Sequence, residues 1–190
     1  FKLKENWTLR SSVNADLNYV YDYVYYNENH PYGTGVGRLI DGKRFVTNML
    51  YENVMNYNKT FGDLYFAGML GHSFQKVSAN TSSIDGRGFP SPAFNVIGVA
   101  SEIASASGSL TEYAMESYFG RITTAYQDKY ILTTTLRTDG SSKFAPDNRW
   151  GWFPSISLGW NISEEEFMAG STSDMKVRLS YGRTGNQDGI

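Results

Sequence analysis

The residue types that most often carry enzyme or metal chemistry are sparse in this sequence and poorly spaced for it. The two histidines, His30 and His72, lie in different segments, without a second histidine or a carboxylate at the spacing of a metal site. The 190 residues include no cysteine, which excludes thiol catalysis, thiolate metal sites and disulfides. A GxSxG nucleophile elbow is also absent. We therefore predict no catalytic residue, no metal ligand and no cofactor.

Two further motifs have simpler interpretations than chemistry. Residues 33–37 read Gly-Thr-Gly-Val-Gly, which lacks the GxGxxG spacing, so a flexible loop is favoured over a phosphate cradle. The glutamates at 164–166 are better interpreted as favourable charge at a helix N-terminus than as paired catalytic carboxylates. A net charge of -2 argues against a nucleic-acid partner held by phosphate contacts. Enzyme function is the least favoured interpretation.

The elements that must position the remaining charged residues are long β-strands. From Trp7 to Tyr25 the odd positions are mainly apolar and the even positions mainly polar. Because successive side chains of a strand point to opposite faces, this pattern predicts a strand with one apolar face. Soluble strands usually have about five or six residues, whereas a strand that crosses a bilayer needs about nine to eleven. The pattern therefore predicts the wall of a transmembrane β-barrel.

The same alternation recurs along the chain. It predicts further strands over 43–57, 64–75, 117–126, 130–137 and 149–162 and from about 175, with a short helix at 163–168. Segment 76–111 is rich in Ser, Gly, Ala and Asn and is predicted to be a long outer loop. Long and short connections alternate, as in a barrel with one outer and one periplasmic rim. We expect an all-β fold of about seven antiparallel strands, an internal fragment of a larger barrel.

The last third of the chain resembles a known family. Residues 136–168 read LRTDGSSKFAPDNRWGWFPSISLGWNISEEEFM, and residues 175–190 read MKVRLSYGRTGNQDGI. In this order and spacing, they are similar to the barrel of SusC/RagA-like TonB-dependent outer-membrane transporters. The matching elements are 137–142, 149–155, 159–160, 165–167 and 178–187. The resemblance is specific over about 117–190 and looser over 43–75.

This resemblance implies a fold, a location and partners. Residues 1–190 would form part of one TonB-dependent receptor β-barrel domain in the cell outer membrane, without the plug domain or the TonB box. The barrel would enclose the plug and work with a SusD-like surface lipoprotein. The TonB complex would act through the absent N-terminal part. The imported substrates would be oligosaccharides or peptides, and no cofactor is implied.

The predicted faces assign three sets of residues. The residues expected to face the lumen and contact the plug or substrate are Arg10, Asn14, Asp16, Asn18, Glu52, Arg121, Arg137, Lys176 and Arg178. The residues of the outer loop expected to contact substrate or the lipoprotein lid are Asp85, Arg87, Phe89, Phe94 and Asn95. The aromatic side chains expected to form a girdle at the membrane interface are Tyr19, Tyr21, Tyr23, Trp150, Trp152 and Trp160.

Two other functions are compatible with an alternating all-β sequence. The chain could belong to a structural or adhesive surface protein, whose apolar face would be buried in an ordinary sandwich. It could also belong to a passive outer-membrane channel without energy coupling. Detergent-free solubility of the full-length protein would favour the first alternative, and an N-terminal plug domain would exclude the second.

Overall fold

The computed structural model describes residues 2–170 and 172–185, and these residues form one antiparallel sheet. Its eight strands follow one another in chain order, from β1 to β8. They are β1 (Lys2–Lys4), β2 (Trp7–Tyr26), β3 (Arg38–Phe61), β4 (Leu64–Arg87), β5 (Glu102–Tyr126), β6 (Tyr130–Ser141), β7 (Trp150–Asn161) and β8 (Lys176–Gly182). The all-β antiparallel prediction is confirmed, and seven of these strands have seven or more residues.

Tight turns join β3 to β4 and β5 to β6. The β3–β4 connection contains only Gly62 and Asp63, and Gly62 has a φ of 58°, which glycine adopts without steric cost. The β5–β6 turn places Gln127 and Asp128 at φ values of 52° and 55°. The Lys129 amide closes this turn by donating to the Tyr126 carbonyl at 3.0 Å. These turns match the short connections that the turn residues predicted.

The prediction of a long loop over 76–111 is wrong. Strand β4 continues to Arg87 and β5 begins at Glu102, so only residues 88–101 connect them. The missed stretches 76–87 and 102–111 are rich in hydroxyl side chains, and they lack the continuous apolar face that marks a strand in a sequence. Cross-strand polar contacts support the pairing there, such as Thr81 Oγ1 to Ser109 Oγ at 2.7 Å.

Smaller boundaries also differ from the predictions. The connection between β2 and β3 contains only residues 27–37, and β6 continues to Ser141. The helix predicted at 163–168 is a pair of 3₁₀ turns, Ile162–Glu164 and Glu166–Met168, and further 3₁₀ turns occupy Pro31–Gly33, Ile97–Val99 and Pro146–Asn148. Within residues 2–170 and 172–185, no helix is long and apolar enough to cross a membrane.

The chain divides into two compact units. The first contains the described residues up to Asn14, Leu50–Gln75 and the described residues from Ala114 onwards. The second contains Ala15–Met49 and Lys76–Tyr113. Across the described residues, Leu39 and Val54 are the buried hydrophobic side chains, so most apolar side chains do not pack into a core within the chain.

Candidate functional site

The strand register of the first unit separates its side chains onto two contrasting faces. Residues that pair directly across antiparallel strands point to the same face. Leu132 pairs with Leu158, which pairs with Leu179. One position along, Ser157 pairs with Thr133 on one side and Ser180 on the other. One face is therefore apolar and the opposite face is lined by hydroxyl groups.

The apolar face has aliphatic side chains in the middle and aromatic side chains at both ends. The aliphatic residues are Ile122, Leu132, Leu136, Ile156, Leu158 and Leu179. The aromatic residues are Tyr118, Trp150 and Trp152 at one end and Tyr126, Tyr130 and Trp160 at the other. From Trp152 to Trp160 the strand rises about 26 Å at ~3.3 Å per residue. This matches the roughly 25 Å apolar band, edged by aromatic girdles, of an outer-membrane barrel.

The polar face contains a tightly bonded arginine. Arg137 Nε donates to Asp139 Oδ1 at 2.7 Å, and Arg137 Nη2 donates to the Ser117 hydroxyl at 3.0 Å. The guanidinium also lies 5.3 Å from the centre of the Phe119 ring, within the range of a cation–π contact. Phe119 in turn covers Gly71, where a Cβ atom would overlap the ring. Arg137 is therefore neutralised and held in place by the wall itself.

A cavity of about 430 Å³ lies beside this arginine. Most of its lining residues come from the segments that carried the family resemblance, and they include Arg137, Asp139, Ser141, Phe144, Arg149, Phe153, Arg183 and Gly185. The connection at 142–149 is attached to the strands by backbone bonds, including Ser142 N to Ala114 O at 2.9 Å and Ser141 N to Arg149 O at 3.1 Å. The motif residues thus build one local structure, which explains why they occur at this fixed spacing.

The other predicted lumen residues divide into bonded and exposed positions. Arg10 Nη2 lies 3.2 Å from Glu52 Oε2, so these two form an ion pair across β2 and β3. The Arg121 Nε donates to the Thr135 hydroxyl at 3.4 Å, which is a long bond. The remaining predicted positions are exposed, and they are Asn14, Asp16, Asn18, Lys176 and Arg178. The structure does not gather these nine residues into one site.

An ion pair that the sequence did not reveal joins β3 and β4 in the second unit. Arg38 donates to both carboxylate oxygens of Asp85, from Nε at 3.0 Å and from Nη2 at 2.9 Å, and Arg87 Nη2 lies 3.6 Å away. Asp85 lies near the far end of the 24-residue β4, beyond the roughly nine to eleven residues that a crossing needs. The pKa of the Asp85 carboxyl is lowered from its usual value, and the hydrogen bonds from Arg38 are the largest cause. Asp85 and Arg87 were predicted in a loop, but both belong to a strand.

The connection at 88–101 lies against the tyrosines of β2. The Phe89 ring packs edge-on against Tyr25 at 5.5 Å between ring centres, and the Tyr23 hydroxyl donates to the Asn95 carbonyl. Phe94, in contrast, is 61% exposed. Three residues of this connection were predicted to contact substrate or the lid. Phe89 and the Asn95 backbone contact tyrosines of β2, whereas the Phe94 side chain is exposed to solvent.

The predicted girdle tyrosines have polar as well as apolar neighbours in the second unit. Tyr19 contacts Phe45 at 6.4 Å between ring centres, and the Lys43 ammonium lies 5.4 Å from the centre of the Tyr21 ring. Tyr21 and Tyr23 also contact each other at 5.9 Å. A girdle role for these three tyrosines stays a prediction.

A second group that sequence reasoning missed is centred on Glu165. Its carboxylate accepts hydrogen bonds from the Tyr130 hydroxyl at 2.7 Å and the Trp160 indole at 3.0 Å, and Lys129 Nζ lies 3.2 Å away. The bond from Tyr130, followed by that from Trp160, lowers the pKa of Glu165. Glu165 therefore fastens the β7–β8 connection to the β5–β6 turn. This replaces the predicted helix N-terminal role of residues 164–166, because no such helix forms.

A third group contains one of the two histidines. His72 Nε2 lies 3.1 Å from Glu116 Oε1, and the Tyr118 hydroxyl donates to the same oxygen at 2.7 Å. The Tyr118 ring stacks at 6.2 Å on Trp150, so this group lies at one aromatic edge of the apolar band. Among the residues that the structure describes, no three His, Asp or Glu side chains cluster as a metal site would require.

A single-layer antiparallel sheet with an aromatic-edged apolar face and a polar opposite face is typical of the wall of a membrane β-barrel. The chain matches the family described as TonB dependent receptor-like, beta-barrel over residues 1–189, and it belongs to that family. This is a family of outer-membrane receptors and transporters.

Individual relatives agree with this assignment. The chain is 37% identical over 142 residues to TonB-dependent receptor P26 of Formosa agariphila, covering 72% of this chain and 14% of the relative. It is 35% identical over 150 residues to TonB-dependent receptor SusC of Bacteroides thetaiotaomicron, covering 78% and 15%. The solved structure of the RagAB peptide transporter superposes with a TM-score of 0.90 at 22% identity, covering 96% of this chain and 21% of that chain.

These comparisons confirm the resemblance to SusC and RagA. They also show that the chain spans only about 14–16% of the length of the curated relatives it matches.

Proposed function

We propose that this chain is part of an outer-membrane importer that takes up large nutrients, oligosaccharides or peptides, through a plugged β-barrel driven by TonB. The observation that carries the proposal is the two-faced wall of a family member. Its apolar band suits lipid, and its opposite face of hydroxyls and charges suits an aqueous or protein-filled lumen. The described residues bury only Leu39 and Val54 among their hydrophobic side chains, which argues against a sandwich that covers its own apolar face.

We further propose the partners that the family resemblance implies. A SusD-like surface lipoprotein would close the outer mouth, and the TonB complex would act on a part of the protein outside this chain. The exposed Phe94 is the best-placed residue of the 88–101 connection for contact with substrate or the lipoprotein. The tyrosines of β2 and the tryptophans of β7 would lie at the membrane interface.

The proposed lumen residues fall into two groups, those bonded within the sheet and those with exposed, unpaired side chains. Arg137 is bonded to Asp139 and Ser117, and Arg10 is bonded to Glu52, so both hold the wall before any plug or substrate arrives. The exposed positions Asn14, Asp16, Asn18, Lys176 and Arg178 have side chains available to a plug or a passing substrate. Substrate class stays open, because the match to a peptide transporter at 22% identity supports the fold alone.

Uptake by a deletion strain tests this function. The gene for the full-length protein is deleted, and uptake of labelled oligosaccharides and labelled peptides is compared with that of the parent and of a complemented strain. We expect loss of one class of substrate, with restoration on complementation. Uptake should also stop when a protonophore collapses the proton-motive force. Unchanged uptake of both classes would contradict the importer, and protonophore-resistant uptake would indicate a passive channel.

A further inference from the structure

The apolar face of the first unit is interrupted by a groove of about 400 Å³. Gly120 lies in its lining and pairs with Leu136 of the apolar face. The Arg121 side chain points to the opposite face, where it bonds to Thr135. The groove is therefore on the side of the wall that suits lipid. Strands β2 to β6 all contribute to its lining, so it lies within the sheet and away from the edge at β8.

Two glycines open this groove in a face that otherwise carries large apolar side chains. Apart from its chain neighbours, a Cβ atom built at Gly68 would have only the Phe66 ring within 4 Å, at 3.4 Å. Gly120 is covered more closely, since its Cβ would lie 3.3 Å from Leu70 Cδ2. Both positions leave room that a larger side chain would occupy. We call the cavity over Gly68 and Gly120 the glycine groove.

Three aromatic rings close the glycine groove at the end next to the β3–β4 turn. Trp7 contacts Tyr57 at 4.7 Å between ring centres, and Tyr57 contacts Phe66 at 6.0 Å. Most of the remaining lining is apolar, as at Met55 and Ile122. Short connections of an outer-membrane barrel lie on the periplasmic side, and aromatic rings are enriched at the membrane interface. The groove thus begins at the periplasmic interface and extends into the apolar band.

A lysine without a carboxylate partner stands just beyond this aromatic end. Tyr57, Lys59 and Phe61 alternate along β3 onto one face, and Lys59 lies about 7 Å beyond Tyr57 at ~3.3 Å per residue. Lys59 is exposed, and its ammonium lies 5.0 Å from the centre of the Phe61 ring. No carboxylate of the described residues is within ion-pair distance of Lys59. This face therefore presents a cation, an aromatic layer and an apolar groove in that order.

This order of chemical groups matches an anionic phospholipid. A lysine at the membrane surface attracts a phosphate headgroup, and an apolar groove gains dispersion contacts when an acyl chain fills it. Trp and Tyr rings favour the boundary between headgroup and hydrocarbon. A sugar or a peptide would leave its polar groups unpaired against the same lining, which is unfavourable.

We propose that the glycine groove holds one acyl chain of an anionic phospholipid from the periplasmic leaflet, with the phosphate beside Lys59. The inference requires a wall that lies in a membrane, but it does not depend on what the barrel imports. A second copy of the chain fits less well. Two copies related by an axis normal to the membrane would hold both Lys59 side chains at one depth, with like charges facing. Two concave surfaces would also leave the groove unfilled, which close packing disfavours.

Native mass spectrometry of the purified full-length protein tests the proposal. The protein is titrated in detergent with palmitoyl-oleoyl phosphatidylglycerol, which is anionic, or with phosphatidylcholine of the same chains, which has no net charge. The number of retained lipids and their apparent affinity are determined from the masses. The variant Gly68→Leu fills the groove, and Lys59→Gln removes the charge beside it.

Each variant has a matched control. Ala15→Leu adds a leucine to the apolar face of β2 at an exposed position outside the groove lining. Lys76→Gln removes a lysine of β4 that already has a carboxylate partner, since Lys76 Nζ lies 3.4 Å from Glu112 Oε1. The controls thus repeat the change in bulk and the change in charge without altering the proposed site.

We expect the wild type to retain one phosphatidylglycerol more tightly than phosphatidylcholine. Lys59→Gln should lower the affinity for phosphatidylglycerol about fivefold and leave that for phosphatidylcholine unchanged. Gly68→Leu should lower both affinities on the order of tenfold, because the leucine overpacks the space of the chain. Both controls should behave as the wild type. If Gly68→Leu does not fold, Gly68→Ala replaces it, with a smaller expected effect.

The opposing outcomes are distinct. Equal retention of the two lipids by the wild type, or unchanged retention by Gly68→Leu, would overturn the proposal. A dimer mass that disappears in Gly68→Leu, with lipid retention unchanged, would also overturn it, because the occupant would then be a second copy. The uptake experiment on the deletion strain reports on the importer separately, so either proposal can fail while the other holds.

Discussion

Replacing Asp85 with asparagine should loosen the β3–β4 pair at the end next to the 88–101 connection. The Asp85 carboxylate accepts two hydrogen bonds from Arg38, and the two side chains are only 13% and 26% exposed. A net hydrogen bond to a charged group contributes about 1.5–3 kcal/mol. Asparagine keeps one acceptor oxygen but loses the charge that offsets Arg38 and Arg87. We therefore expect a local destabilisation of about 2 kcal/mol, a factor of roughly 30 in the opening equilibrium.

Hydrogen exchange measures this opening directly. The amides of Gly88 and Phe89 donate to the carbonyls of Gly37 and Val36 at 3.1 Å and 3.0 Å, just beyond the ion pair. Their protection factors should fall about 30-fold in the Asp85→Asn variant if they exchange through this local opening. Equal protection in variant and wild type would refute the argument that the ion pair holds this end of the strands.

The same pair predicts a pH dependence. Because the pKa of Asp85 is lowered below its usual 3.8 in the folded protein, its stabilisation is complete above that value. It is lost as the pH falls through the lowered pKa, so wild-type and Asp85→Asn protection should converge in acid. Asp16→Asn is the matched control, because exposed Asp16 has no ion pair or side-chain hydrogen bond with any residue that the structure describes. A variant whose deficit persists unchanged in strong acid would contradict this linkage.

Two further substitutions test the faces of the first unit. Leu158→Arg should destabilise the protein in a bilayer by about 2–4 kcal/mol, whereas Ser157→Arg on the opposite face should cost much less, as measured by reversible unfolding into denaturant. Gly71→Ala should displace the Phe119 ring from its position and lower stability by about 1–3 kcal/mol, whereas Gly98→Ala, where a Cβ meets nothing within 4 Å, should have little effect.

The faces of β6 and β7 could be predicted because their side chains largely alternate in chemical type. Leu158 and Ser157 differ in type as they differ in direction, as expected of a barrel wall with lipid on one side and a lumen on the other. The family motifs could also be identified from the sequence. Residues 137–142 and 149–155 line one cavity, which explains their fixed spacing. Sequence reasoning therefore succeeded where the environment of the two faces differs.

The polar ends of β4 and β5 could not be predicted for the same reason. Where both faces of a strand meet water, nothing requires the side chains to alternate, and Ser, Thr and Asn then resemble a loop. The bond between Thr81 and Ser109 and the pairing of Arg38 with Asp85 depend on cross-strand register over 28 and 47 residues. Register of this kind is fixed by pairing and turn geometry, which a single sequence does not display.

The distribution of partners over the polar face connects these observations to function. Arg10, Arg38 and Arg137 each have a carboxylate supplied by this chain, so their charges are neutralised within it. Lys176 and Arg178 have no carboxylate partner among the residues that the structure describes, and both are exposed. An exposed cation is stabilised by water and needs no partner, whereas an arginine paired across two strands is held in one position. The paired arginines therefore support the strand pairing, and the unpaired cations are the ones whose side chains remain available to a plug or a substrate in the proposed importer.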